Sequence, residues 1–260
     1  MRSVYSKSLY QRRHMAAGWF IGITAIVLLT MSVYNSFSDG AIGDSLQSLP
    51  PALQKLAGDA LSFKTIGGYI DQQIFALRVP VMLTILSIAV FVGLSGGEEE
   101  KGLVESQLAL TISRTKLLFQ KLATGLTVVV LASFGSLLGI RIGLWLIGRD
   151  YNVFNVMPYL LSCLLVAIGY GLVGFMVSSV SGRRGLALGA ASGLAFLGFL
   201  INSMASSVSL FATLDHATLF HYYHTAGGYH WASLALLAAV CLVLVGISWA
   251  VFSRRDIRAR

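Results

Sequence analysis

Residues 73–95 read QIFALRVPVMLTILSIAVFVGLS, and this stretch decides the class of fold. Arg78 is the only charged residue in it. A helix of about 20 mainly apolar residues crosses the roughly 30 Å hydrocarbon core of a bilayer. The stretch is therefore predicted to be a transmembrane helix.

Further apolar runs of similar length lie on both sides of it. Such long uncharged runs exclude a transmembrane β-barrel, whose strands are about 10 residues long and alternate in polarity. The first run has no small-residue cleavage pattern at its end, so we expect it to be retained as a span. The predicted fold is an all-α integral membrane protein with a single transmembrane domain over residues 1–260. Its six predicted spans are residues 17–37, 73–95, 122–147, 157–180, 186–206 and 232–252.

Composition agrees with the hydropathy pattern. The 260 residues are 56% hydrophobic and only 12% charged, whereas soluble domains have roughly a quarter charged residues.

Fourteen of the 19 Lys and Arg residues fall in the two termini, the segment after the second span and the loop after the fourth. Basic residues accumulate on the cytoplasmic side of membrane proteins. Both termini are therefore predicted to be cytoplasmic in a multi-pass plasma-membrane protein, and the net charge of +8 needs no nucleic-acid partner.

The N-terminal residues 4–14 combine basic and apolar side chains at helical spacing just before Trp19. A basic amphipathic helix of this kind lies on an anionic membrane surface. We predict an interfacial helix here, and a solvated basic tail is the alternative.

The segment after the second span, residues 98–121, reads EEEKGLVESQLALTISRTKLLFQK. It is charged and amphipathic, whereas the other loop on the same predicted side, residues 181–185, is minimal. Such a segment is suited to receiving force from a protein partner. A solvated loop with some interfacial leucines is the alternative.

The order of motifs in this segment resembles a known family. An acidic cluster, Gly102, Leu103-Val104-Glu105, Ile112-Ser113-Arg114 and a Lys121 that opens a hydrophobic helix are similar to the loop after the second span in permeases of ABC-type exporters, the antibiotic- and multidrug-export family. Other parts of the chain resemble the same family: Trp19 after the basic stretch, Leu49-Pro50-Pro51-Ala52-Leu53 followed by Gly67-Gly68-Tyr69, and Phe252-Ser253-Arg254-Arg255-Asp256.

The resemblance implies a permease subunit that works with a separate cytoplasmic ABC ATPase and with a second permease, either a copy of itself in a homodimer or a related chain. ATP and Mg²⁺ would bind the ATPase, and this chain would carry no cofactor. In agreement, the phosphate-binding pattern G-x-x-x-x-G-K-[ST] does not occur in the 260 residues, so no enzymatic activity of its own is expected. The residues implied to contact the ATPase are Glu98, Glu99, Glu100, Gly102, Arg114 and Lys121.

Transport would be outward. The short loops and the largely apolar interior favour an amphipathic small molecule, peptide or lipid as substrate. Arg78 and Arg141 lie near the outer ends of predicted spans, where their side chains can reach the membrane surface or line a path for an anionic or amphipathic substrate.

A histidine-rich segment precedes the last span. His221 and His224 are three residues apart and are weak candidates for a metal site, because imidazole binds copper and zinc. The segment is also rich in aromatic residues, so we predict a membrane-boundary element and no metal. The alternative function is a non-transporting membrane scaffold, or a metal-linked membrane component that uses these histidines.

Overall fold

A computed structural model describes residues 4–35, 65–100, 113–205, 208–224 and 228–254. Within these ranges the chain is helical and contains no strand. In the described part of the chain, six helices are long and apolar enough to cross a membrane, which confirms the predicted all-α membrane fold. They are α1 (Val4–Ser32), α2 (Ile66–Leu94), α3 (Arg114–Ile147), α4 (Met157–Ser181), α5 (Arg184–Met204) and α6 (Trp231–Arg254).

Helix α1 differs from its prediction. The basic N-terminal stretch and the first span form one continuous helix, where we expected an interfacial helix followed by a span. The first turns pack against α3, because the hydroxyl groups of Tyr5 and Thr127 lie 3.1 Å apart and Ser8 is buried. The basic residues are thus held to the bundle by the polar and small side chains among them.

Helix α3 begins eight residues before the predicted span. Its start is fixed by Ser113, whose side chain accepts a hydrogen bond from the backbone N–H of Lys116 at 3.3 Å. With 34 residues α3 is about 50 Å long, more than the roughly 30 Å hydrocarbon core. Hydropathy found only the part that is apolar enough to lie in lipid.

A row of three glycines on α3 brings it close to α1. A Cβ added at Gly135 would lie 2.5 Å from the carbonyl oxygen of Phe20, and one at Gly139 would lie 2.8 Å from the Cβ of Val27. Gly143 meets Met31 in the same way. The two backbones pack this closely because no side chain stands between them.

The first half of α2 has a π-helical stretch over Ile70–Arg78 that ends just before Pro80. In this stretch the N–H of Val79 bonds the carbonyl of Ile74, five residues back. Pro80 has no N–H to offer to the next carbonyl, that of Phe75. That carbonyl instead accepts a 2.6 Å hydrogen bond from the hydroxyl of Tyr223, which ties the segment before α6 to α2.

Helix α4 packs against α2, α5 and α6. Phe91 of α2 meets Phe175 of α4 edge to face, with ring centroids 6.3 Å apart. Helix α5 turns Ala187, Ala191 and Ala195 inward, and its outward face has both glycines and large apolar side chains, among them Leu194 and Phe196. The outward faces of α5 and α6 are the surfaces that lipid or another chain would cover.

Some predicted features lie outside the described residues: the motif at Leu49–Leu53, the central part of the predicted coupling segment, and Gly102.

Candidate coupling site at the basic end of the bundle

We call the end of the bundle where α1 begins and α2 ends the basic end. Helix α2 ends at Leu94, and Ser95 has φ −100° and ψ −92°, outside the helical range. A short helix, Gly96–Glu99, then turns the chain back over the bundle. This turn directs Glu98 inward although it directly follows the span.

Glu98 forms the centre of a buried ion-pair cluster. One carboxylate oxygen, Oε2, lies 2.9 Å from Nζ of Lys121, and the other, Oε1, lies 3.8 Å from Nη2 of Arg12. Glu98 is 7% exposed and Lys121 is 2% exposed. A buried charge is tolerated only when it is paired and hydrogen-bonded. The cluster therefore joins the end of α2 to α1 and α3.

Glu100 makes a second connection, to α5. Its carboxylate accepts a 2.8 Å hydrogen bond from the backbone N–H of Arg184, the first residue of that helix. The first N–H groups of a helix have no partner within it and carry a partial positive charge, so a carboxylate there is favourable. Together, Glu98 and Glu100 attach the start of the coupling segment to three helices.

Glycines make these approaches possible. A Cβ at Gly93 would lie 3.1 Å from Nη1 of Arg12, and one at Gly96 would lie 2.4 Å from Oγ of Ser178 and 3.2 Å from the backbone N of Arg184. The glycine-rich end of α2 thus gives Arg12 and the start of α5 room to approach.

The structure places the predicted coupling residues in different environments. Glu98 and Lys121 face each other inside the bundle, and Glu100 bonds α5. Arg114 lies on the first turn of α3 and is partly exposed. Only the backbone of Glu99 is described, and Gly102 lies outside the described residues.

Sequence reasoning did not identify two residues of this cluster, Arg12 and Arg184, and counted them only as basic residues that set the topology. A signal for the pairing was present, since Glu98 directly follows an apolar span and Lys121 lies next to Leu122 and close to Leu118 in an apolar run. Opposite charges in apolar surroundings indicate a buried pair.

The two arginines proposed for a substrate path have different surroundings. The guanidinium group of Arg78 donates hydrogen bonds to the backbone carbonyl and, at 2.8 Å, to the side-chain oxygen of Gln73, five residues earlier on the same helix. Arg141 is exposed on the surface of α3, six residues before its end. Arg78 is held by its own helix, and Arg141 faces the surroundings of the bundle.

The histidines lie at the opposite end, in two separate hydrogen-bond networks. Nδ1 of His221 is 2.6 Å from Oδ2 of Asp215, and Nδ2 of Asn202 donates to Oδ1 of Asp215 at 3.0 Å. Burial raises the pKa of Asp215, whereas the hydrogen bonds from His221 and Asn202 lower it, and the net shift is downward. His224 instead pairs with the hydroxyl of Ser233 at 2.9 Å. Among the described residues, no group of three or more His, Cys, Asp or Glu side chains is arranged to hold a metal ion.

His224 makes the stability of this end depend on pH. Burial and the nearby His230 and His221 lower the pKa of His224. Below the ordinary histidine pKa of about 6.5 the unfolded chain then binds a proton that the folded chain binds less readily, so stability is full above that pH and falls as pH decreases through it. We expect His224→Gln, which keeps a hydrogen-bonding group for Ser233, to reduce the loss of thermal stability between pH 7.5 and pH 5.5.

Melting of the detergent-solubilised protein across this pH range measures the effect. His14→Gln, on the exposed start of α1, is the matched control because it also removes one histidine. Equal pH dependence of the melting temperature in wild type and His224→Gln would show that His224 does not cause the loss of stability.

A family model described as ABC-2 family transporter protein matches residues 3–257, nearly the whole chain. The chain has no significant match among curated proteins.

Proposed function

The chain belongs to the ABC-2 family of transporters, and from this premise we propose that it is the permease subunit of an ATP-driven exporter. Membership makes it the membrane subunit of an ABC transporter and not the ATPase. The proposal adds the direction of transport, which is outward, and the substrate class, an amphipathic small molecule, peptide or lipid. Both termini and the basic end would face the cytoplasm, as the distribution of Lys and Arg indicates.

One observation carries the proposal: the start of the coupling segment is attached to three helices besides α2. Glu98 bonds α3 through Lys121 and α1 through Arg12, and Glu100 bonds the first turn of α5. A displacement of this segment would therefore move α1, α2, α3 and α5 together. This supports a mechanism in which closure of the ATPase shifts the bundle between two arrangements.

In that mechanism the predicted coupling residues would have different roles. Glu98 and Lys121 would transmit the movement inside the bundle, because their side chains are buried against each other. Glu99, Gly102 and Arg114 would contact the ATPase, and Glu100 would link the two roles. ATP and Mg²⁺ would bind the ATPase subunit.

We further propose that two permease chains pair, as a homodimer or with a related chain. Helix α5 supports this, because Gly185, Gly189 and Gly193 lie four residues apart and a Cβ added at any of them meets nothing within 4 Å. Rows of small residues allow two helices to approach closely in a membrane. The rest of the outward apolar surface would contact lipid.

For the substrate path, Arg78 and Arg141 remain the proposed contacts for an anionic group at the opposite end. Arg141 is the better placed of the two, because its side chain is exposed, whereas Arg78 already donates to Gln73.

Purification of the solubilised protein from its native membranes, with identification of what accompanies it, tests the proposal first. We expect an ABC ATPase to co-purify. In the reconstituted complex, Arg114→Ala and Glu100→Ala should each reduce transport-coupled ATP hydrolysis about 5-fold or more, the range typical of coupling between sites. Asp150→Ala, an exposed acidic residue at the opposite end, is the control and should leave hydrolysis unchanged.

A chain that purifies without an ATPase would contradict the proposal and favour the scaffold. If an ATPase co-purifies but ATP hydrolysis is the same in all three variants as in wild type, the permease function is supported and the coupling site is contradicted.

A further inference from the structure

A cavity of about 420 Å³ lies beside the ion-pair cluster, between α1, α2 and the start of α5. Its polar wall includes Gln11, Arg12, Glu98 and Arg184, and its apolar wall includes Met15 and Ala89. The volume exceeds the roughly 30 Å³ of one water molecule by an order of magnitude. The cavity is therefore large enough for a polar group larger than water.

The charges around this cavity do not balance. Arg12, Arg184 and Lys121 contribute three positive charges at or next to the cavity, and Glu98 and Glu100 contribute two negative charges, so one positive charge remains among these described residues. Glu98 is closer to Lys121, at 2.9 Å, than to Arg12, at 3.8 Å. The guanidinium of Arg12 thus retains capacity to bind a second anion.

Arg184 is one source of this excess positive charge. Its backbone N–H is occupied by Glu100, but its side chain forms no hydrogen bond or ion pair within the described part of the chain. The side chain nevertheless lines the cavity, and its Cδ would lie 3.6 Å from a Cβ added at Gly97. Two guanidinium groups therefore line one cavity from different helices, and that of Arg184 has no hydrogen-bond or ion-pair partner among the described residues.

We propose that this cavity binds a phosphate group, supplied by an anionic phospholipid of the leaflet at the basic end. Guanidinium groups match phosphate oxygens in charge and in the spacing of their N–H donors. Basic pockets between transmembrane helices bind lipid headgroups of this kind. The apolar wall of Met15 and Ala89 suits the glycerol and the first methylene groups, which a free phosphate ion lacks.

The site would have a structural consequence. A phosphate held by Arg12 and Arg184 would join α1 to α5 across the end of α2, next to the bonds made by Glu98 and Glu100. A ligand that binds only the folded chain stabilises it by mass action. Anionic lipid should therefore stabilise the observed arrangement of α1, α2 and α5 at the basic end, whether or not the chain exports anything.

Lipid retention by the purified full-length chain tests the site. Native mass spectrometry would count bound lipids during titration with phosphatidylglycerol, with phosphatidylcholine as the neutral comparison. We expect one tightly retained phosphatidylglycerol, and a weakening of about tenfold or more in Arg184→Gln and in Arg12→Gln, each of which loses a charge-assisted hydrogen bond. Arg184→Gln is the safer variant for folding, because the Arg184 side chain makes no hydrogen bond or ion pair with the residues that the structure describes.

The chain supplies matched controls one residue away. Arg183→Gln and Arg13→Gln remove the same charge from exposed neighbours that do not line the cavity, and both should retain the lipid. Equal weakening in all four variants would overturn the site, because it would show attraction to surface charge alone. Stabilisation by inorganic phosphate with no preference for phosphatidylglycerol would overturn the lipid as its source, and binding of neither would overturn the proposal.

Discussion

Glu98→Ala is expected to lower the free energy of unfolding by about 3–5 kcal/mol, the cost of removing one partner from a buried ion pair. Lys121 is only 2% exposed and lies 2.9 Å from the lost carboxylate. Without Glu98 the buried ammonium group of Lys121 would lose its 2.9 Å carboxylate partner, while the positive charge of Arg12 would stay nearby. The loss should appear as a lower thermal midpoint and as easier unfolding in denaturing detergent.

Two further variants separate the ion pair from general damage to this end of the bundle. Glu98→Gln combined with Lys121→Met removes both buried charges and should recover most of the stability, because apolar or neutral replacements of a buried pair are often tolerated. Glu100→Ala removes an exposed carboxylate that bonds one backbone N–H, and should cost about 1 kcal/mol or less. If the double variant were as unstable as Glu98→Ala, the buried charge of Lys121 would not be the cause of the instability.

The double variant also bears on coupling. It should fold, yet it lacks the charged link between the end of α2 and helices α1 and α3. Recovered stability with impaired ATP coupling would assign the pair a role in transmission, whereas recovery of both would make it a purely structural element. Stability and coupling are therefore measurable as separate properties of the same pair.

The spans could be predicted from the sequence because the length of an apolar run directly reflects the thickness of the bilayer. The predicted ends of the second, third and fourth spans lie within one residue of the observed ends of α2, α3 and α4. Helix α2 begins seven residues before its predicted span. The starts of α1 and α3 were missed for one shared physical reason. Their first turns are helical but polar and basic, and hydropathy detects burial in lipid, whereas helix formation also depends on caps and packing.

The candidate site was predictable in composition but not in geometry. The acidic cluster and Lys121 lie in one segment of the sequence, but the pairing of Glu98 with Lys121 and Arg12 depends on the turn at Ser95 and on the position of α1. Arg12 is 86 positions from Glu98, so no local periodicity connects them. Its neighbour Arg13 has the same side chain and is exposed, and only the rotation of α1 against the bundle distinguishes the two.

The second large loss of stability is expected from a substitution in the contact between α1 and α3. Gly139→Leu is expected to cost about 3 kcal/mol or more, at the upper end for overpacking, because the obstacles include backbone as well as side chain. A Cβ at this position would lie 2.8 Å from the Cβ of Val27 and 2.9 Å from the carbonyl oxygen of Thr24. The helices would have to separate.

Separation would also break a specific bond. The hydroxyl of Thr24 donates to the carbonyl of Gly135 at 3.0 Å, one turn from Gly139. Detergent-induced unfolding would measure the loss, and Gly22→Leu is the matched control, because Gly22 lies on α1 with nothing within 4 Å of an added Cβ. Because α1 also carries Arg12, its displacement should weaken the cluster at Glu98 as well. Gly139→Leu combined with Glu98→Ala should then cost less than the sum of the single variants, and strict additivity would show that the contact and the cluster are independent.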